Sequence, residues 1–146
     1  MLNRIASLFR RRSFNIKSLA VGGSEHPRLS RMTTVVVGDS AQVEQVRKQL
    51  EKLINVVKVS DITEEEMVAR ELALIKVKTT ASTRSEIMQI VGIFRANIVD
   101  VAPGSLTVEV TGDEDKLHSL LGLLSDFGVK EVSRTGKIAL TRGSSS

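Results

Sequence analysis

The chain repeats itself at a constant offset of 74 residues. Met32 to Gly38-Asp39, followed by Val43, Val46 and Leu50, matches Leu106 to Gly112-Asp113, followed by Leu117, Leu120 and Leu124. Upstream, Leu8-Phe9-Arg10 is echoed by Ile93-Phe94-Arg95, and Asn15-Ile16 by Asn97-Ile98. A pattern written twice restricts the chain to two units of one architecture. Each half reads helix, strand, strand, helix, strand.

The second half also begins with an apolar strand, Leu72–Thr79 (LALIKVKT). This completes β-α-β-β-α-β, a ferredoxin-like unit. Thr83 and Glu86 have capping-box spacing, and Ile87, Ile90, Val91 and Phe94 form a helix stripe. Asn97–Val101 reads as a strand and Pro103-Gly104 as a turn. Leu106, Val108 and Val110 alternate with Thr107, Glu109 and Thr111, as in a half-buried strand. Asp113 caps a helix that carries Leu117, Leu120, Leu121 and Leu124. Val129–Ser133 and Ile138–Thr141 are short strands, and Gly143–Ser146 is a frayed tail.

The first half starts inside its helix. Residues 1–12 (MLNRIASLFRRR) place Leu2, Ile5 and Phe9 on one side at helical spacing. The same composition, Arg-rich and acid-poor, also suits an organelle-targeting peptide. Phe14–Gly22 (FNIKSLAVG) is a strand, followed by the breakers Gly22-Gly23 and Pro27. Met32–Val37 is a second strand, and Gly38-Asp39-Ser40 offers an N-cap. Val43, Val46, Leu50 and Leu53 mark a helix with Glu44/Lys48 and Arg47/Glu51 as supporting charge pairs. Val56, Val57, Val59 and Ile62 form a further strand, and the acidic run Thr63–Glu66 is the boundary. The expected domains are 1–63 and 64–146. With no first strand, the strand over 55–62 lacks its neighbour. Each unpaired buried backbone group would cost about 1–3 kcal/mol. The reading therefore expects the sequence to begin late.

Composition narrows the function. There is no Cys, and the two His, His26 and His118, lie far apart. Thiolate chemistry is excluded, and neither His has convergent ligands for a metal. No nucleophile–base constellation supports an enzyme. The net charge is +4, but it is uneven. Residues 1–62 carry 11 Lys/Arg against 5 Asp/Glu, and 63–146 carry 10 against 12. Basic charge on a ferredoxin-like sheet invites an RNA reading. Thr and Val stand on Met32–Val37 where stacking aromatics would be needed. No run of about 18 apolar residues exists to span a membrane.

Five stretches in register carry a resemblance. FNIKSLAVG at 14–22, LSRMT at 29–33, RELALIKV at 70–77, IFRANIVDV at 93–101 and SRTGKIAL at 133–140 together resemble the regulatory small subunit of acetolactate synthase (acetohydroxyacid synthase). The resemblance implies an α+β chain of two ferredoxin-like units, the N-terminal one an ACT domain that here lacks its first strand. It implies a homodimer that activates a catalytic subunit and confers feedback inhibition by a branched-chain amino acid, valine above all. The small subunit would hold no cofactor. The catalytic partner would hold thiamine diphosphate, magnesium and flavin (FAD). The effector would lie between two ACT domains. Asn15, beside Ile16, falls at the position whose amide recognises it, an amide being both donor and acceptor. Leu2 stands at the helix start, where the family's Gly-bearing turn would present backbone N–H groups to the effector carboxylate. That turn is absent from this sequence. Arg31 and Arg134 are expected at the surface or a domain interface. The implied compartment is the cytoplasm in a bacterium and a plastid or mitochondrion in a eukaryote. The alternative is a free-standing amino-acid-binding ACT module.

Overall fold

In the computed structural model, Ile5, Leu8 and residues 14–143 are described. The elements are β1 (Ile16–Gly23), β2 (Ser30–Val36), α1 (Ser40–Glu51), β3 (Met67–Lys78), α2 (Arg84–Ile93), β4 (Asn97–Ala102), β5 (Ser105–Gly112), α3 (Glu114–Ser125), β6 (Val129–Arg134) and β7 (Ile138–Thr141). They form two compact units. One comprises residues 1–68 with 139–146, the other 69–138. The chain is α+β, and both units follow the ferredoxin-like plan read from the repeat.

The second unit carries the complete plan. Its sheet runs β4-β5-β3-β6, and β7 also pairs with β3. The pairings of β3 with β5 and β6, and of β4 with β5, are antiparallel. Period-2 alternation sends Ala73, Ile75 and Val77 of β3, and Leu106, Val108 and Val110 of β5, to one face. There they meet Ile87 and Val91 of α2 and Leu117, Leu120 and Leu124 of α3 in one buried cluster. Asp113 starts α3 by accepting a hydrogen bond from the Lys116 N–H at 2.9 Å. After α3, Gly128 takes a left-handed φ of 103°, which glycine adopts without steric cost. After α2, Arg95 does the same at φ 55°. For a residue with a Cβ this costs roughly 1–2 kcal/mol.

Among the described residues, the core of the first unit is the smaller of the two. Ile5, Leu8, Val46 and Leu50 are buried, and Phe14, Ile16, Leu19, Met32, Val36, Leu53 and Val59 pack partly buried around them. Ile5 and Leu8 are helical. The other residues of the helix expected over 1–12 lie outside the described residues, as do Ser144–Ser146 of the expected tail. β1 and β2 form an antiparallel pair in register Leu19↔Thr34 and Val21↔Met32. Asp39 caps α1 in a full capping box: it accepts from Gln42 N–H, and its own N–H donates to Gln42 Oε1, both at 2.9 Å.

Three local expectations fail. The strand expected over Val56–Ile62 does not form. Its counterpart in the repeat, β6, takes its ladder from β3, and no described residue supplies such a neighbour to 56–62. Val57 is consequently 77% exposed. The capping box expected from Thr83 and Glu86 is also absent, for Thr83 makes no side-chain cap to α2. Instead Thr83 Oγ1 accepts from the Thr80 N–H at 2.9 Å, and Thr80 Oγ1 accepts from the Thr83 N–H at 3.3 Å. The Glu44/Lys48 pair gives way to Arg47, which binds Glu44 on one side and Glu51 on the other. Arg47 wins because its forked guanidinium serves two carboxylates at once.

Two carboxyls in the first unit carry a pH signature. The Arg47 guanidinium bonded to Glu44 lowers that carboxyl's pKa. Asp61 is lowered chiefly by the Thr63 hydroxyl, then by the Thr63 N–H. A depressed folded-state pKa gives stability that is present above the unfolded value and lost as pH falls through the folded value. Carboxyl titration followed by NMR is therefore expected to place both midpoints below their ordinary values. Thr63→Ala should move the Asp61 midpoint upward and leave Glu44 in place. An Asp61 midpoint indifferent to Thr63→Ala would contradict the assigned cause.

Candidate effector site

Asn15 sits at the mouth of the β1–β2 pair. Its backbone carbonyl accepts the Val37 N–H at 2.9 Å, one step beyond the Ile16↔Val36 pairing. The backbone is thus fixed by the ladder while the residue stays exposed. No hydrogen bond to the Asn15 amide is made among the described residues, so both its donor and acceptor face solvent. Ile16 turns the other way, into the partly buried shell around Ile5, Leu8, Val46 and Leu50. A strand that starts here must split its first two side chains between water and core. Leu2, the third expected site residue, lies outside the described residues.

On its other long edge β1 has no partner among the described residues. Lys17 stands next on that strand, exposed, and Leu19 returns to the core. The arrangement presents an exposed, neutral side-chain amide at the start of the strand, a group that can both donate and accept hydrogen bonds. Among the described residues, no group of three or more His, Cys, Asp or Glu could hold a metal ion. No helix among them is long and apolar enough to cross a membrane.

The second unit repeats the frame with a different outcome. Asn97 starts β4, exposed like Asn15. The loop before α2 is closed on itself by the reciprocal Thr80–Thr83 bonds, with Ser82 Oγ 3.0 Å from Thr80 Oγ1. Arg84, at the first position of α2, points its Nη2 to the carbonyls of Ala102 at 3.3 Å and Pro103 at 3.4 Å. These hydroxyls take the N–H groups of Thr80 and Thr83 in the loop, and none of them caps the first turn of α2.

One charged pair escaped the sequence reading. Glu71 is 7% exposed and accepts Arg134 Nε at 2.6 Å and Nη2 at 3.1 Å. The bond to Glu71 raises the Arg134 pKa. Next to it, Thr135 Oγ1 accepts the Leu72 N–H and the Thr135 N–H donates to the Leu72 carbonyl. Arg134 is exposed, as expected, and through Glu71 it anchors the end of β6 on β3. Arg31 donates from Nη2 to the Ala139 carbonyl at 3.2 Å.

Comparison with known proteins follows the same division. A family profile described as "AHAS small subunit-like ACT domain" matches residues 1–58. A second, described as "Small subunit of acetolactate synthase", matches residues 70–143. The probable acetolactate synthase small subunit of Archaeoglobus fulgidus is 55% identical over 143 residues, covering 98% of this chain and 89% of that protein. The acetolactate synthase small subunit of Mycobacterium bovis is 51% identical, covering 98% and 85%. The crystal structure of the Thermotoga maritima small subunit superposes with a TM-score of 0.86 at 44% identity, covering 97% of this chain and 88% of that one.

Proposed function

The chain belongs to the acetolactate synthase small-subunit family, and from that premise we propose that it is a non-catalytic regulatory subunit. It activates a catalytic acetolactate synthase subunit and transmits feedback inhibition by a branched-chain amino acid, valine above all. The catalytic partner holds thiamine diphosphate, magnesium and FAD. The domains are 1–63, an ACT domain, and 64–146, a ferredoxin-like domain. The observation that carries the reading is the succession of both family profiles, in order, along nearly the whole chain.

Asn15 and Ile16 are the effector-side residues of this proposal, with Leu2 at the helix start. The exposed amide of Asn15 supports that role because it can both donate to a carboxylate and accept from an ammonium group. A homodimer brings a second first unit to the open edge of β1. A free-standing ligand-binding module has no comparable support, since both halves match a subunit of a larger enzyme.

Reconstitution tests the reading. The purified chain alone is expected to form no acetolactate. Mixed with a catalytic subunit from the same source, it is expected to raise the rate and to make that rate fall when valine is added. A catalytic subunit whose rate is unchanged at saturating amounts of this chain would overturn the proposal.

A further inference from the structure

Arg31 and the stretch Ser133–Lys137 are left without a role by the effector site. Arg31 stands on β2 opposite Gly22 of β1, in the same hairpin as Asn15. It is exposed, yet its Nη2 donates to the Ala139 carbonyl at 3.2 Å. Ala139 is the one buried residue of β7. This bond lies wholly within the first unit, because residues 139–146 belong to it. The residue before, Ile138, belongs to the second unit. Arg31 therefore holds the chain at the step where it passes from one unit to the other. The far side of that step is also held. Gly136 turns the chain between β6 and β7 at a φ of 87°, which glycine adopts without steric cost. Thr135 exchanges two hydrogen bonds with Leu72, its N–H donating at 3.0 Å and its Oγ1 accepting at 3.1 Å. Before it, Arg134 is paired with the buried Glu71.

We propose that Arg31 is a positioning residue for feedback. It ties the effector hairpin β1–β2 to β7, and the chain carries that tie through Thr135 and Arg134 to β3. A change in the hairpin then pulls on a strand whose register in the second unit is pinned. The pinning explains why a carboxylate is buried at Glu71. A buried ion pair adds little net stability over apolar residues of the same size, and its best-attested use is to set a register. Here it sets β6 on β3, and with it the point where the chain leaves the second unit. The role rests on the regulatory reading above, and it gives Arg31 no contact with the effector. Because Arg31 is exposed and bonds to a main-chain carbonyl, its loss should leave both cores intact.

Arg31→Gln tests the tie in the full chain by itself. The N–H groups of Thr135 and Arg142 donate to the Leu72 and Glu66 carbonyls, on either side of the step. Their hydrogen exchange is expected to quicken about tenfold, the effect of losing one charge-assisted hydrogen bond. Arg28→Gln is the control and should change neither rate. Arg28 is exposed on the same hairpin, and its side chain makes no hydrogen bond or ion pair among the described residues. In the reconstituted enzyme, Arg31→Gln should keep the stimulation and raise the rate that remains at saturating valine about threefold. Valine affinity of the free chain, measured by calorimetry, should be unchanged, whereas general loosening of the first unit would weaken it. Thr135→Val removes the hydroxyl on the same route and should also raise the remaining rate. The two substitutions together should do no more than the larger alone. Unchanged exchange at Thr135, an unaltered remaining rate, or additive effects would each overturn the proposal. An unsubstituted chain that neither stimulates the catalytic subunit nor confers inhibition would sink the regulatory reading instead, and the exchange rates would still decide whether Arg31 holds the step.

Discussion

Leu120→Ala is expected to cost the second unit about 2–5 kcal/mol of stability, the range for truncating a buried leucine. Leu120 is 0% exposed and lies in the cluster that joins α3 to β3 and β5. Truncation removes the burial of several methyl and methylene groups and leaves a cavity that neighbours such as Ile75 and Val108 cannot fill without moving. A domain of this size has only about 5–15 kcal/mol in total, so the loss is a large fraction. Leu123 provides the control from the same helix. It is 45% exposed, and Leu123→Ala should stay within about 0.5 kcal/mol. Urea unfolding followed by circular dichroism measures both, and amide exchange in β3 and β5 locates the loss. Equal effects at the two positions would mean that α3 presents a different face to the sheet.

That prediction rests on what the sequence made legible. The repeat by itself puts Val46 and Leu50 opposite Leu120 and Leu124, and all four are buried. The Asp39 and Asp113 caps were legible because capping is a contact over three residues. The signals that misled depend on distance along the chain. Val56, Val57, Val59 and Ile62 have strand composition, but a strand exists only with a ladder partner, and pairing is not written in the segment itself. The Glu71–Arg134 pair joins residues 63 positions apart, and nothing local to either announces the other. At Thr83 the capping-box spacing was present, yet a nearer hydroxyl at Thr80 won the bond. Short polar side chains compete for the same backbone groups, and spacing alone does not decide between them.

Asn15 is where sequence and structure meet on function, and its removal is the second large effect expected. The family resemblance singled it out. The structure leaves its amide exposed while its backbone is held by Val37. Asn15→Ala therefore removes the proposed recognition group without removing a ladder bond or a core contact, and folding should be nearly unchanged. Hydrogen bonds to charged groups contribute about 1.5–3 kcal/mol, so the valine concentration that half-inhibits the reconstituted enzyme should rise roughly 10- to 100-fold. Stimulation of the catalytic subunit in the absence of valine should persist, because the proposal assigns Asn15 to the effector alone. Ile16→Ala makes the opposite comparison. Ile16 packs against the first unit's core, so its truncation should lower stability as well as sensitivity. Measured together, the two variants separate recognition from folding. If Asn15→Ala abolishes stimulation along with inhibition, the residue belongs to the contact with the catalytic subunit, and its effector role falls. If inhibition by valine is unaltered, recognition lies elsewhere on the chain and the edge of β1 loses its assigned purpose.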